Sequence, residues 1–129
     1  MHKEIIICAI IIIFIIVLNI IAMNYTQDAV ETVSSDLNRF KSNIMDENPN
    51  NDEIRKNNKE IMNKWREKYN VLAYFIEHDE LEKVETELTA LEASIDVEKY
   101  EDGVENLERC IFILNHIKDK YSLNIKNIF

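Results

Sequence analysis

The sequence predicts an all-α protein, an N-terminal transmembrane helix that continues into an antiparallel bundle of about four helices. Three observations lead there. Nineteen residues, Ile5 to Met23, are interrupted by one polar side chain, Asn19. The 129 residues hold one Gly (Gly103) and one Pro (Pro49), whereas hairpins and tight turns depend on those residue types. Beyond Met23, apolar residues return at three- and four-residue spacing in block after block, as helices with one apolar face require.

The apolar run comes first. At 1.5 Å per residue it spans roughly 28 Å, close to the ~30 Å hydrocarbon core of a bilayer. From Ile10 to Leu18 it is apolar all round, while a core helix of a small soluble domain keeps a wet face. The expected division is residues 1–4 as a short cytoplasmic N-terminus, 5–23 as the transmembrane helix and 24–129 as an extracytoplasmic bundle. Sidedness follows from the flanks. Lys3 and the α-amino group precede the run; after it Asp28, Glu31 and Asp36 come before the first base, Arg39. Basic flanks stay in the cytoplasm, although the margin is one lysine and one amine with Glu4 beside them. The rival is a cleaved signal peptide, whose apolar core has about 7–15 residues and a small-x-small exit. This run is longer, and Asn19-Ile20-Ile21-Ala22-Met23-Asn24 offers no Ala-x-Ala. Cys8 lies at the start of the run, which argues against a lipoprotein cleavage site.

The remaining 106 residues make one domain of ordinary size. The net charge of −9 belongs to this part, because Lys3 and Glu4 cancel. Such a surface repels phosphates, so nucleic acid is not an expected partner and neither are anionic headgroups. Cys8 and Cys110 are placed in different compartments and supply no disulfide framework. Cys110, beside Ile111 on an apolar face, reads as an inert buried thiol. Cys8 could cross-link two parallel anchors, given an oxidant.

Val30, Val33, Leu37, Phe40 and Ile44 then step three-four-three-four. No Gly or Pro separates them from the run, so the first helix should continue to about Asp46. The seam has two readings: a core-facing stripe of the bundle, or a parallel dimer seam just outside the membrane. The first is favoured, since two heptads fall short of the three or four that argue for a coiled coil. The second makes these five residues the candidate interaction seam, with Asn19 able to add an interhelical bond of about 1 kcal/mol.

Pro49 forces Asn48 out of the α region, and Asn50 with Glu53 forms a capping box that opens the second helix. That helix carries Ile54, Ile61, Met62, Trp65, Tyr69, Leu72, Phe75 and Ile76. At Glu77-His78-Asp79-Glu80 the stripe changes phase, and Leu81, Val84, Leu88, Leu91 and Ile95 form a new one. Asp79 with Glu82 is the expected N-cap and N3 pair; a single kinked helix over residues 51–97 is the alternative. A second break falls at Asp96 to Glu98. The fourth helix presents Tyr100, Val104, Leu107, Ile111, Leu114, Ile117 and Tyr121, widened by Cys110 and Ile113. So wide a stripe marks the most buried helix. Gly103 inside it, at about 1 kcal/mol against Ala, points to a closely approaching neighbour. The apolar tail Tyr121 to Phe129 either docks back on the bundle or is offered to a partner. By segment the charge runs −5 (28–53), +4 (55–68), −11 (77–108) and +3 (109–129). That alternation suits the seams of an up-down bundle, setting register more than stability.

The motifs of catalysis are absent: no Gly-rich phosphate loop, no Cys-x-x-Cys, no His-Glu-x-x-His, and no Glu three residues before His78 or His116. No cofactor or metal is expected. His78 and Glu82 share a helix face and could hold a proton or a metal, but a corner His beside an acidic cap is the commoner arrangement. Trp65 with Tyr69 could line an apolar pocket, but aromatic residues at helical spacing are usually core.

Tyr74-Phe75-Ile76-Glu77-His78-Asp79-Glu80, then Val84-Glu85 and Leu88, and the ending His116-Ile117 through Leu123-Asn124-Ile125-Lys126-Asn127-Ile128-Phe129 carry a resemblance. With Trp65 in a matching place, the chain resembles an uncharacterised family of small single-pass proteins from spore-forming, low-GC Gram-positive bacteria, known as a domain of unknown function. The resemblance covers nearly the whole chain and implies the same architecture, with no established activity or site residues. It also implies a neighbouring integral membrane protein, since members are often encoded beside one. Three function classes follow, in order of preference. The first is a membrane-anchored, extracytoplasmic interaction or scaffold protein, whose partner is a second copy or another integral membrane protein. The second is an extracytoplasmic ligand-sensing module with its ligand near Trp65 and His78. An enzyme comes last, for want of a recognisable nucleophile, base or cofactor loop.

Overall fold

The computed structural model describes the backbone of residues 1–126 and the side chains through Ser122. Four helices follow one another, α1 (His2–Ile44), α2 (Asn51–Leu72), α3 (His78–Asp96) and α4 (Tyr100–Lys126), and no strand occurs among the described residues. The all-α class and the antiparallel arrangement are as the sequence predicts. α1 packs on α2 and α4, and α3 packs on the same two, while neither diagonal pair approaches closely among the described residues. Connections at 45–50, 73–77 and 97–99 are too short for anything but antiparallel neighbours.

Ion pairs give the register. Lys118 Nζ lies 2.9 Å from Glu31 Oε1, and Lys41 pairs with Glu108, ten residues along each helix in opposite senses. Across the other flank of α1, Lys64 reaches Asp36 at 2.6 Å and Lys68 reaches Asp28 at 3.8 Å. Arg109 holds Glu87 at 3.2 Å between α3 and α4, and Arg55 holds Glu98 at 3.3 Å between α2 and the last turn. Each seam therefore joins a basic to an acidic partner, as the alternating charge of the segments requires. These pairs are largely exposed, worth roughly 0–1 kcal/mol each.

Stability rests on the apolar stripes. Leu37, Trp65, Leu81, Leu88, Leu91, Leu107 and Leu114 have no solvent exposure, and burying a side chain of this size contributes about 1.5–3 kcal/mol. Asn58 interrupts the α2 stripe between Ile54 and Ile61. It is buried, and its Oδ1 has no partner, a polar core position of the kind that restricts register at a cost in stability.

Helix ends show where local signals were overruled. Asn50 Oδ1 accepts the Glu53 N–H at 3.2 Å, half of the expected capping box. α2 stops at Leu72 and does not run through Phe75 and Ile76 as its stripe predicts; the Ile76 N–H still reaches Leu72 O at 2.9 Å as the chain turns. α3 opens at Glu77, two residues before the expected cap Asp79, and no side chain caps it. The Glu77 N–H donates to Tyr121 Oη at 2.8 Å, so a side chain from α4 ties down the residue at which α3 begins. Asp79 becomes a first-turn charge, favourable at a helix N-terminus. The last turn is a Schellman motif: the Lys99 N–H donates to Ser94 O at 2.9 Å and the Glu98 N–H to Ile95 O at 3.1 Å. Glu98 holds the left-handed position at φ 58°, where Gly is usual.

In α4 the fully buried line is Gly103, Leu107, Cys110, Leu114 and Ile117, flanked by half-buried Tyr100, Val104, Ile111, Ile113 and Tyr121. Cys110 is thus the centre of the stripe and not its margin. A Cβ built on Gly103 would meet Leu91 Cδ1 at 3.5 Å and Ile95 Cδ1 at 3.6 Å. Those are ordinary contacts, so α3 does not approach closely enough to require glycine. Of the expected docking of the tail, the Tyr121 contact is described; the side chains from Leu123 and the backbone beyond Lys126 lie outside the described residues.

The bundle has two ends. At the stalk end α1 enters, the α2–α3 corner turns and α4 finishes. At the far end lie the 45–50 loop and the α3–α4 turn.

Candidate functional site

The largest surface feature is the first half of α1. This helix is unbroken over 43 residues, and its early portion is long and apolar enough to cross a membrane. Among the described residues none buries that portion, and its side chains from Ile5 to Ile15, apart from the small ones, are more than half exposed. A contiguous apolar surface of that length is far beyond what a soluble monomer leaves in water.

Past Met23 the same helix changes partners. Val30, Val33, Leu37, Phe40 and Ile44 are no more than 4 % exposed, packed in the common core with Trp65, Leu88 and Leu114. The candidate interaction seam is therefore occupied by the chain's own helices. At the junction the buried Thr26 hydroxyl donates to Ala22 O at 2.8 Å, a bond within the helix.

The residues weighed for chemistry are placed as follows. Trp65 has no exposure; its Nε1 donates to Glu85 Oε1 at 2.7 Å and its ring stands edge-on to Tyr69, centroids 6.2 Å apart. Its sequence gave no sign of Glu85 as partner, because that residue lies twenty positions away on α3. His78 is exposed, with Nε2 2.8 Å from Glu82 Oε1 and Nδ1 3.2 Å from the Tyr69 hydroxyl. Both ring nitrogens are engaged within the corner. His116 is exposed on α4. Cys110 is fully buried, and burial, followed by the Glu87 carboxylate, pushes its thiol up to about 12. No three His, Cys, Asp or Glu side chains are grouped to hold a metal ion among the described residues. A groove of about 160 Å³ opens between α1 and α2, lined by Asp36, Arg39, Asn43, Asn57, Glu60 and Lys64 together with the buried Phe40 and Ile61. Its charges are largely matched, Lys64 and Arg39 both reaching Asp36.

Two clusters escape sequence reasoning. At the far end Asn51 Nδ2 and Arg55 both reach Glu98 Oε1, at 3.0 and 3.3 Å, and Tyr100 donates to Asn51. Burial, then the Glu98 carboxylate, raises the Tyr100 phenol above its ordinary value. At the stalk end Tyr25 on α1 packs edge-on against Phe75, centroids 6.1 Å apart and planes at 87°. Lys68 Nζ stands 5.5 Å from the Tyr25 ring. Tyr74, next in the corner, is 88 % exposed. The only advance sign of these groupings is antiparallel register, which sequence spacing alone does not set.

Comparison with curated proteins and with solved structures gives no match. A family model described as a domain of unknown function, DUF4363, matches residues 20–128, a stretch that begins at the last turn of the apolar run and takes in all four helices of the bundle. On that span the chain belongs to the DUF4363 family.

Proposed function

We propose that this protein is a single-pass, membrane-anchored interaction or scaffold protein, an accessory of a membrane protein complex that acts by contact and not by reaction. The observation that carries the proposal is the divided character of α1, whose long apolar stretch is left unburied by the described residues while its second half is bundle core. A helix of this kind fits lipid on one side of Met23 and protein on the other. Residues 5–23 cross the bilayer, Lys3 stays in the cytoplasm, and the acid-rich flank from Asp28 to Asp36 lies outside with the bundle. The proposal extends to the source expected from the resemblance, a spore-forming low-GC Gram-positive bacterium. Its partner is a second copy or another integral membrane protein, met through the lipid-facing side of α1 or the outside of the bundle, since the Val30–Ile44 stripe is occupied.

Two measurements test this. A reporter fused after Phe129 should be active only outside the cytoplasm, and activity inside would overturn the orientation. Membranes treated with a thiol oxidant before solubilisation should yield a disulfide through the exposed Cys8 if the partner is a second copy. Amine cross-linking should capture a different membrane protein otherwise. A monomer under both treatments would overturn the scaffold reading.

A further inference from the structure

The stalk end of the bundle sits at the height of the bilayer surface, by construction of α1. Tyr25 is two residues past Met23, about 3 Å along the helix axis. Its contact with Phe75 fixes the α2–α3 corner at that same height. α4 arrives there too: eight residues on from Lys118 and eight back from its partner Glu31, Lys126 is level with Met23. The zone between hydrocarbon and bulk water is on the order of 5–8 Å deep on each side. The corner cannot swing out of it, because α1 is helical without a break from the apolar run into the core, and no Gly or Pro lies between residues 2 and 44.

The corner offers Tyr74, 88 % exposed, with half-exposed Val71 one turn before it. A tyrosine has an apolar body and a polar tip, and such rings collect at membrane interfaces. In bulk water an exposed aromatic at a helix corner gains nothing. We propose that the α2–α3 corner is a second membrane-contact surface, with Tyr74 seated in the headgroup region of the bilayer that α1 enters. The proposal rests on the reading of α1 as membrane-spanning. Phe75, the next residue, is held by its edge-on contact with Tyr25 on α1. Glu77 and Asp79 are exposed at the same corner, and Lys120 is paired 3.5 Å from both Glu77 and Glu80. Net charge at the corner therefore gives no attraction to anionic lipid, and the contact is made by ring insertion in neutral bilayers as well. Two points of attachment, α1 and the corner, hold the bundle axis along the membrane normal. The far end then projects by about 32 Å, the length of α1 from Met23 to Ile44.

The test uses the full chain in phosphatidylcholine vesicles, with Cys8→Ala so that the buried Cys110 is the remaining native thiol. Nitroxide labels are placed singly at Tyr74→Cys, Ile13→Cys and Met45→Cys, and Trp65 emission confirms folding. Collision with oxygen, which concentrates in lipid, is compared with collision with a water-soluble nickel chelate. The label at position 74 is expected to show an oxygen-to-nickel ratio several-fold above that at position 45, approaching that at position 13. A ratio at 74 equal to that at 45, with 13 still in lipid, overturns the corner contact and leaves the anchor standing. A water-exposed label at 13 overturns both.

Discussion

Replacing Gly103 by alanine is expected to stabilise the bundle, and the expectation can be worked through. A glycine in a helix interior is about 1 kcal/mol less favourable than alanine. That penalty would be retained if a neighbour needed the space, but the new Cβ would lie 3.5 Å from Leu91 Cδ1, 3.6 Å from Ile95 Cδ1 and 3.7 Å from Ser94 Cβ. Each is ordinary van der Waals contact. Burying one methyl adds up to about 0.8 kcal/mol, so the combined gain is on the order of 1–2 kcal/mol. For a domain near one hundred residues each kcal/mol moves Tm by roughly 4–8 °C. The assay is thermal unfolding of the detergent-solubilised full chain, followed by the emission of Trp65, the one tryptophan in the sequence and fully buried. Gly103→Val, whose γ carbons must enter the Leu91 and Ile95 methyls, should lose about 1–3 kcal/mol by overpacking. A lower Tm for Gly103→Ala would refute the reasoning and restore the close approach inferred from the glycine alone.

Leu37→Ala, in the α1 stripe with no exposure, should cost about 2–5 kcal/mol of bundle stability while leaving carbonate-resistant membrane association intact; unchanged Tm would mean that the stripe is not core. Glu85→Ala leaves the Trp65 indole N–H buried without its acceptor and should cost roughly 1–3 kcal/mol, whereas Glu85→Gln should restore most of it; equal Tm values for the two variants would remove the hydrogen bond from the account. Cys110 in a Cys8→Ala background should react with a disulfide reagent only as the protein opens. Its folded pKa of about 12 exceeds the ordinary 9.0, so the unfolded chain releases its proton first and stability falls as pH rises from about 9 towards 12. The fall should be shallower in Cys110→Ala, and identical slopes would show that the thiol is not buried.

What the sequence determined by itself was whatever depends on composition and period. Nineteen nearly unbroken apolar residues, a near absence of Gly and Pro, and stripes at helical spacing were enough for the helix count, the long first helix and most of the core. The Asn50 cap and the break at Asp96 to Glu98 were legible because their signals act within a few residues. Tertiary structure decided the rest. It assigned the Val30–Ile44 stripe to the chain's own core, because α2 and α4 arrive on that face. It moved the start of α3 back to Glu77, whose N–H is met by the Tyr121 hydroxyl from α4. It brought Asn51 and Arg55 of α2 onto the carboxylate of Glu98, the left-handed residue of the turn. It also brought Tyr25, Phe75 and Tyr74 to one level. A period tells which face of a helix is apolar, but it carries no information about which partner covers that face or how far the two slide. Those are set by side chains dozens of residues apart, and they exist only once the helices have met.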